Sequence, residues 1–491
     1  MKPFACTAFA SGILFEQQPV FVLIMAIINW IRRRIKLLFD RIRNEQLKKN
    51  LLQALPFWVA SLLTGLVAVF YARMFALAEK GTASIVHAHA WLLFIVTPVC
   101  FIVSWWLVQQ FAPLARGSGI PQVMAAIELP TPKYNERVKK LLSIRIIVVK
   151  ILSSLVMALG GGVIGREGPT IQVAGAVFRK ITQWLPDWWP KISKRNMIMT
   201  GAAAGLAAAF NTPLGGIVFA VEELTKTHIS YFKTALFTAV IISGLTAQAL
   251  LGPYLYLGYP NMDHLSGYIF FAVVLVALLA GLAGSGMAKL MLAIFKWKAR
   301  FKFTRQHILF VSGCALAVAA LAFFVNEGML GSGKELMART LFTTDKYSAW
   351  YMPLLRTAGP VLSFTTGAAG GVFAPALSAG ASIGSTISGW MHLADANTNL
   401  LILSGMVAFL TGVTRTPFTS AILVLEMTDR HNVIFHLMLA GMVASMVSLL
   451  VDKHSFYDHL KHQYLHGLMH EDDPKPMEQE VVSEAMPDSI Q

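Results

Sequence analysis

The sequence predicts an all-α polytopic membrane protein folded as two internal repeats of broken helices. Three observations predict it. The 491 residues are 55% hydrophobic and only 14% charged, with mean hydropathy +0.59, whereas a soluble domain carries about 25% charge. Apolar runs recur at 62–71, 91–108, 236–251, 269–294, 308–325 and 433–451, and several reach the ~20 residues that span a bilayer as a helix. A set of glycine and proline landmarks also occurs twice in the same order.

The formal charge of +15 does not indicate nucleic acid. The basic residues cluster at 32–49, 133–145, 179–195 and 296–305, between apolar runs. That is the pattern of cytoplasmic loops under the positive-inside rule. The three cysteines, Cys6, Cys100 and Cys314, have no metal or redox spacing and read as small apolar residues. No metal site and no cofactor are expected.

Residues 1–50 read as an N-terminal extension followed by a cytoplasmic amphipathic helix. Residues 1–24 lack a small-residue cleavage site, so a signal peptide is not expected; Met25 offers an alternative start. Over 27–52, Ile31, Ile35, Leu38 and Ile42 share one face of a basic helix, as in an interfacial helix. The membrane domain is expected over 51–464, its repeats at about 51–252 and 265–464. Its first spans are expected at 51–74 and 91–111. Gly117-Ser118-Gly119-Ile120-Pro121 is then a turn feeding a short helix, with a hydroxyl donor at Ser118 and open backbone at the glycines. The apolar stretch 146–159, broken by Lys150, Ser153 and Ser154, leads to Gly160-Gly161-Gly162-Val163-Ile164-Gly165-Arg166-Glu167-Gly168-Pro169. Pro169 suits a first helical turn, so a helix is expected from Glu167 or Gly168 toward Phe178. Its free N–H groups and dipole form a natural anion site, and the nearest anion is the carboxylate of Glu167. The small residues of 201–209 permit close helix contact. A helix over 214–224 follows and ends in Glu222-Glu223. Residues 465–491 are acidic and poor in apolar residues, and read as a disordered tail.

The repeat rests on three ordered matches. Gly117-Ser118-Gly119 is echoed by Gly331-Ser332-Gly333. Gly161, Gly165 and Pro169 are echoed by Gly367, Gly371 and Pro375. Gly201, Ala204, Leu206, Thr212, Pro213 and Glu222 align without a gap on Gly405, Ala408, Leu410, Thr416, Pro417 and Glu426. Such repeats in transporters are commonly inverted, with broken helices aimed at a shared midplane site. Two departures stand out: Glu167 faces Phe373, and Glu223 faces Met427. An ionisable side chain at bilayer depth costs at least ~2.5 kcal/mol, which makes these two acids functional candidates. Glu222, matched by Glu426, reads as structural. Arg166 is the expected ion-pair partner of Glu167.

Together these residues resemble the ClC chloride channels and chloride/proton antiporters. The resemblance covers about 52–460 and rests on Gly-Ser-Gly-Ile-Pro at 117–121, Gly-Arg-Glu-Gly-Pro at 165–169, Gly-Val-Phe-Ala-Pro at 371–375, Phe210-Asn211 with Pro213, and Tyr457. It implies inverted-topology repeats of tilted, broken helices and a homodimer with one pore per subunit. It implies a chloride site formed by Ser118, the N–H groups of Val372 and Phe373, and the Tyr457 hydroxyl. The motif positions Gly117, Gly119, Pro121, Gly165, Arg166, Gly168, Pro169, Gly371 and Pro375 support that site. Glu167 matches the family's gating and external proton glutamate. Glu223 matches the internal proton glutamate found in many antiporters and replaced in channels. Ser118 fits chloride selectivity, since nitrate-preferring members carry proline there. The paired nucleotide-sensing domains of eukaryotic members have no counterpart here, which suggests a prokaryotic type in the inner membrane.

The expected function is therefore exchange of chloride for protons across a bilayer, with a passive voltage- or pH-gated chloride channel as the alternative. Neutral donors and helix dipoles replace the water of a large, weakly basic anion without trapping it. A non-transporting scaffold or sensor fits poorly with the donors at Ser118 and Tyr457. An enzyme fits poorly because no nucleophile–base pair is apparent. His462, His466 and His470 share a helical face, but a solvated cytoplasmic helix is expected there rather than a metal site.

Overall fold

The computed structural model describes residues 39–129, 133–225, 233–252, 256–263 and 265–469, with a few positions between 30 and 37. The questions raised by residues 1–24, Cys6, His470 and most of the tail lie outside them.

Helix α1 (Glu45–His89) starts behind Asn44, whose side chain accepts from the Leu47 N–H at 3.0 Å, an N-cap that satisfies one orphan donor. The amphipathic helix expected over 27–52 is thus interrupted at 41–44. Ile31, Ile35 and Leu38 fall outside the described residues. The first span also runs past Met74 to His89, because no proline follows Pro56 to stop it and Gly81 alone costs only about 1 kcal/mol. Next come α2 (Leu93–Phe111), the short α3 (Ile120–Glu128) and α4 (Asn135–Leu141), and α5 (Ile144–Leu159). Beyond the glycine break lie α6 (Glu167–Trp184), α7 (Lys194–Phe210), α8 (Pro213–Phe219) and α9 (Lys233–Leu251). Helix α6 begins where expected and continues beyond Phe178. Helix α8 passes into a looser π-helical turn at Ala220–Thr225, which carries Glu222 and Glu223; such turns are frequent at functional sites.

The second half repeats the plan: α10 (Ile269–Lys298), α11 (Thr304–Phe324), α12 (Lys334–Phe342), α13 (Met352–Phe364), α14 (Phe373–Trp390), α15 (Asp395–Thr414), α16 (Pro417–Thr428), α17 (Ile434–Val451) and α18 (Phe456–Met469). Helices α3 and α12 each have 9 residues, and α6 and α14 each have 18. The backbone turns in the same places: φ is 74° at Gly161 and 89° at Gly367, 57° at Asn211 and 64° at Arg415. The last helix reaches Met469, past the expected start of the tail.

Seven helical segments among the described residues are long and apolar enough to cross a membrane. The chain is a multi-pass integral membrane protein. Its central helix, α15, is buried from Asn397 to Thr414. Helix α14 packs on it through Gly380, Gly384 and Gly405, where any Cβ would strike the opposing backbone. Small residues thus let backbones approach closely, as helix contacts in lipid favour. Large apolar side chains such as Phe70, Phe271, Leu309 and Leu450 face outward.

Candidate functional site

The site is built where the glycine breaks of the two halves meet. The Gly165 N–H donates to Gly371 O (2.8 Å), and the Gly371 N–H donates to Gly165 O (2.7 Å). These residues are repeat equivalents, so the contact is self-reciprocal, as a two-fold relation between the halves requires. The clasp sets the N-termini of α6 and α14 side by side. A third N-terminus joins them: the Gly117 N–H donates to Ala368 O (2.9 Å), and the Gly370 N–H donates to Gly117 O (3.1 Å), which fixes the turn that starts α3. Three helix starts, each with unsatisfied N–H groups and a positive dipole end, therefore share one region.

Two hydroxyls lie in that region. Ser118 is 2% exposed and Tyr457 fully buried, and neither hydroxyl has a hydrogen-bond partner among the described residues. Buried polar groups are almost always paired, so orphaned ones mark a place for something else. The two hydroxyls lie close to each other. Gly168 adjoins Ser118 so tightly that a Cβ there would collide with its Oγ. The Phe373 ring stacks on Tyr457 at 6.3 Å and 13°, and Phe210 and Phe219 flank Phe373 at 6.4 and 6.5 Å. Val372, the N-cap of α14, is fully buried. Hydroxyls and helix N-termini thus gather beside aromatic rings. That arrangement suits a negative charge while supplying no full positive one.

Glu167 opens α6, is 1% exposed and leaves Oε2 without a hydrogen-bond partner. That oxygen lies over Gly165, where no Cβ would fit, and the carboxyl group is near the N–H of Ala374. It thus sits among the same helix starts. The expected Arg166–Glu167 ion pair does not form: the Arg166 guanidinium donates instead to Ala209 O at 3.4 Å, and it bears on Glu167 only through space. Glu223 is buried at 6% exposure, and Tyr457 lies within electrostatic reach of both acids. Glu222 points elsewhere. Its carboxylate accepts from the N–H groups of Phe418 (3.2 Å) and Thr419 (2.7 Å) at the start of α16. Glu426 does the same for Leu214 (3.0 Å) and Gly215 (2.7 Å) at the start of α8. The pair is a reciprocal helix cap, in agreement with the structural reading of both acids.

A family profile described as "Voltage gated chloride channel" matches residues 99–449. The chain belongs to the ClC family. An H(+)/Cl(-) exchange transporter ClcA of Cronobacter sakazakii is 30% identical over 410 residues, covering 79% of this chain and 85% of that protein. Its namesake in Vibrio parahaemolyticus is 30% identical over 384 residues, covering 76% and 79%. Among solved structures, a slow cyanobacterial Cl-/H+ antiporter superposes with TM-score 0.73 at 22% identity, covering 84% of this chain and 98% of that one. A CLC-type fluoride/proton antiporter gives 0.68 at 21%, covering 85% and 99%. The fold is thus the ClC fold.

This ClC chain also contains a pair of site-shaping cations that sequence reading missed. Lys150, fully buried, donates to the carbonyls of Ala115 (2.7 Å) and Gly117 (2.8 Å), with Arg116 O at 3.5 Å. Arg356, also fully buried, donates to Met329 (2.8 Å), Leu330 (3.2 Å) and Gly331 (3.3 Å). Each cation pins the carbonyls just before one Gly-Ser-Gly turn. The two are separated in sequence by the same interval as Gly165 and Gly371. That spacing was a usable signal, hidden because lysine and arginine differ in name.

Helix α18, which carries Tyr457, is tied to α3, which follows Ser118. Lys461 meets Glu128 at 2.7 Å and Asp458 at 3.2 Å, and the Tyr464 hydroxyl accepts from Gln122 (3.0 Å) and Arg116 (3.2 Å). His459 pairs with Asp452 at 3.1 Å. Among the described residues, no three His, Cys, Asp or Glu side chains gather as metal ligands.

Proposed function

We propose that this chain exchanges chloride for protons across the membrane. The relatives named as H(+)/Cl(-) exchange transporters support the reading, as does the family to which the chain belongs. The observation that carries it is the pair of partnerless buried hydroxyls, Ser118 and Tyr457, beside clasped helix starts with the Glu167 carboxyl group among them.

In this reading chloride is held by the Ser118 and Tyr457 hydroxyls and the N–H groups of Val372 and Phe373. These neutral donors replace hydration without the tight grip of a cation. Deprotonated Glu167 competes for the same dipoles. Protonated, it loses that attraction, leaves the path and carries a proton with it. Glu223 exchanges that proton with the cytoplasm through the region around Tyr457. Gly117, Gly119, Pro121, Gly165, Gly168, Pro169, Gly371 and Pro375 shape the turns, and Arg166 supplies positive potential. The membrane domain is taken as 51–464. Assembly as a homodimer with one pore per subunit, in a bacterial inner membrane, belongs to the same proposal.

The test is a reconstituted flux assay that records both ions. Purified protein in liposomes with a chloride gradient drives protons uphill. Chloride flux without proton flux replaces this reading with the passive channel. No flux of either ion leaves neither standing.

A further inference from the structure

The second Gly-Ser-Gly turn is built like the first, yet its anion place is taken by the chain itself. Glu79, late in α1, accepts from the Ser332 N–H at 2.8 Å, immediately before α12 begins at Lys334. Gly331 and Gly333 adopt φ of 67° and 86° there, and a Cβ on Gly331 would lie 3.1 Å from Glu79 Oε1. Successive N–H groups in such turns form a concavity for anions.

Around this contact opens a cavity of about 240 Å³, lined among others by Arg73, Glu79, Arg166, Glu167, Ser332 and Lys334. Three cations thus face two carboxylates. Lys334 also lies over the Tyr256 ring at 4.8 Å. Glu167, whose Oε2 is buried and without a hydrogen-bond partner, belongs to the same lining, and because the cations outnumber the carboxylates the cavity favours an anion. The cavity lies on the side away from the basic loops, since α1 leaves the basic stretch near residue 49 and rises about 45 Å to Glu79.

We propose that this cavity is an outer binding site for a small monovalent anion, with Glu79 as a resident carboxylate that the anion displaces from Ser332. The identity of the anion as chloride rests on the exchange reading above; the site itself does not. A tethered competitor keeps occupancy weak, so an incoming ion is passed on toward Glu167 rather than retained.

Bromide, located by its anomalous scattering in crystals of the full chain, tests this. Glu79→Gln keeps the shape and an acceptor oxygen but removes the charge. Bromide is expected beside Ser332 N–H and Lys334 in Glu79→Gln, and more weakly in the native protein at equal concentration. In flux assays Glu79→Gln lowers the half-saturating chloride on the cavity side about tenfold, the scale of one nearby charge acting through partly solvated protein. Lys334→Gln raises it by a similar factor, and the opposite side is unchanged. An empty cavity in Glu79→Gln, with bromide present between Ser118 and Tyr457, overturns the proposal and leaves the exchange reading intact. Bromide in the cavity alone has the reverse effect. Bromide that leaves half-saturation unmoved is an adventitious ion only and also overturns it. Should Glu79→Gln not fold, unchanged half-saturation in Lys334→Gln overturns it.

Discussion

The two halves of the chain share a skeleton and differ in charge. Each has a Gly-Ser-Gly turn held by a buried cation, Lys150 in one and Arg356 in the other. Each has an 18-residue helix rising from a glycine break, and each lends a glutamate to cap the other. Where the first half carries Glu167 and Glu223, the second carries Phe373 and Met427. The second half in turn has its Gly-Ser-Gly turn blocked by Glu79. Shared residues hold the frame, and the unshared acids are the proposed proton carriers. The neighbours Glu222 and Glu223 differ within one turn, since the first accepts at a helix start and the second is buried within electrostatic reach of Tyr457.

The sharpest way to break this contrast is to neutralise the unshared acids. Glu167→Gln is expected to cut proton movement about 100-fold or more, the range lost with a positioned proton carrier. Anion flow then no longer depends on pH. Glu223→Gln should stop protons while chloride still passes; intact coupling in that variant removes its proposed role.

Next in size are the buried cations. Lys150→Met and Arg356→Met each orphan a set of carbonyls, at an expected cost of about 1–3 kcal/mol, read as a lower melting temperature in detergent. If the frame is truly shared, both losses are similar, but only Lys150→Met weakens chloride binding, because its turn carries Ser118. Equal effects on binding would mean that the two turns are coupled more tightly than the charge pattern suggests.

Smaller effects follow at the reciprocal caps. Glu222→Gln and Glu426→Gln should each cost about 1–2 kcal/mol and leave the ratio of protons to chloride unchanged. A change in that ratio for Glu222→Gln would blur its distinction from Glu223.

The smallest effect lies outside the membrane, before α18. Burial pushes the Asp452 carboxyl up, but the His454 N–H and His459 outweigh it and hold it below the usual range. A depressed carboxylate stabilises above its unfolded pKa of about 4, and the gain disappears as pH falls through the folded value. Asp452→Asn should therefore remove stability at neutral pH and flatten its decline below about pH 4, as followed by thermal unfolding.

The fold was largely legible because its signals are periodic or duplicated. Apolar runs gave the spans, and paired glycines gave the breaks and the repeat. Boundaries failed where nothing local marks them, as at Met74, where α1 continues because the chain stays helix-forming. Pairings across space were less legible. In sequence Arg166 beside Glu167 reads as an ion pair, yet adjacent residues at a helix start diverge, and the guanidinium reaches Ala209 instead. Tyr457 reached the site through family likeness, since a lone tyrosine carries no positional signal. Glu79 was invisible because its partner, the Ser332 N–H, is backbone.

The Gly165–Gly371 clasp also bears on how the protein is made. A nascent chain halted before residue 371 has no partner for Gly165, and one halted before 457 lacks the tyrosine. The centre is thus assembled late, from pieces threaded into the bilayer far apart in time. Two separately translated halves would have to find each other in the lipid before any ion could be held.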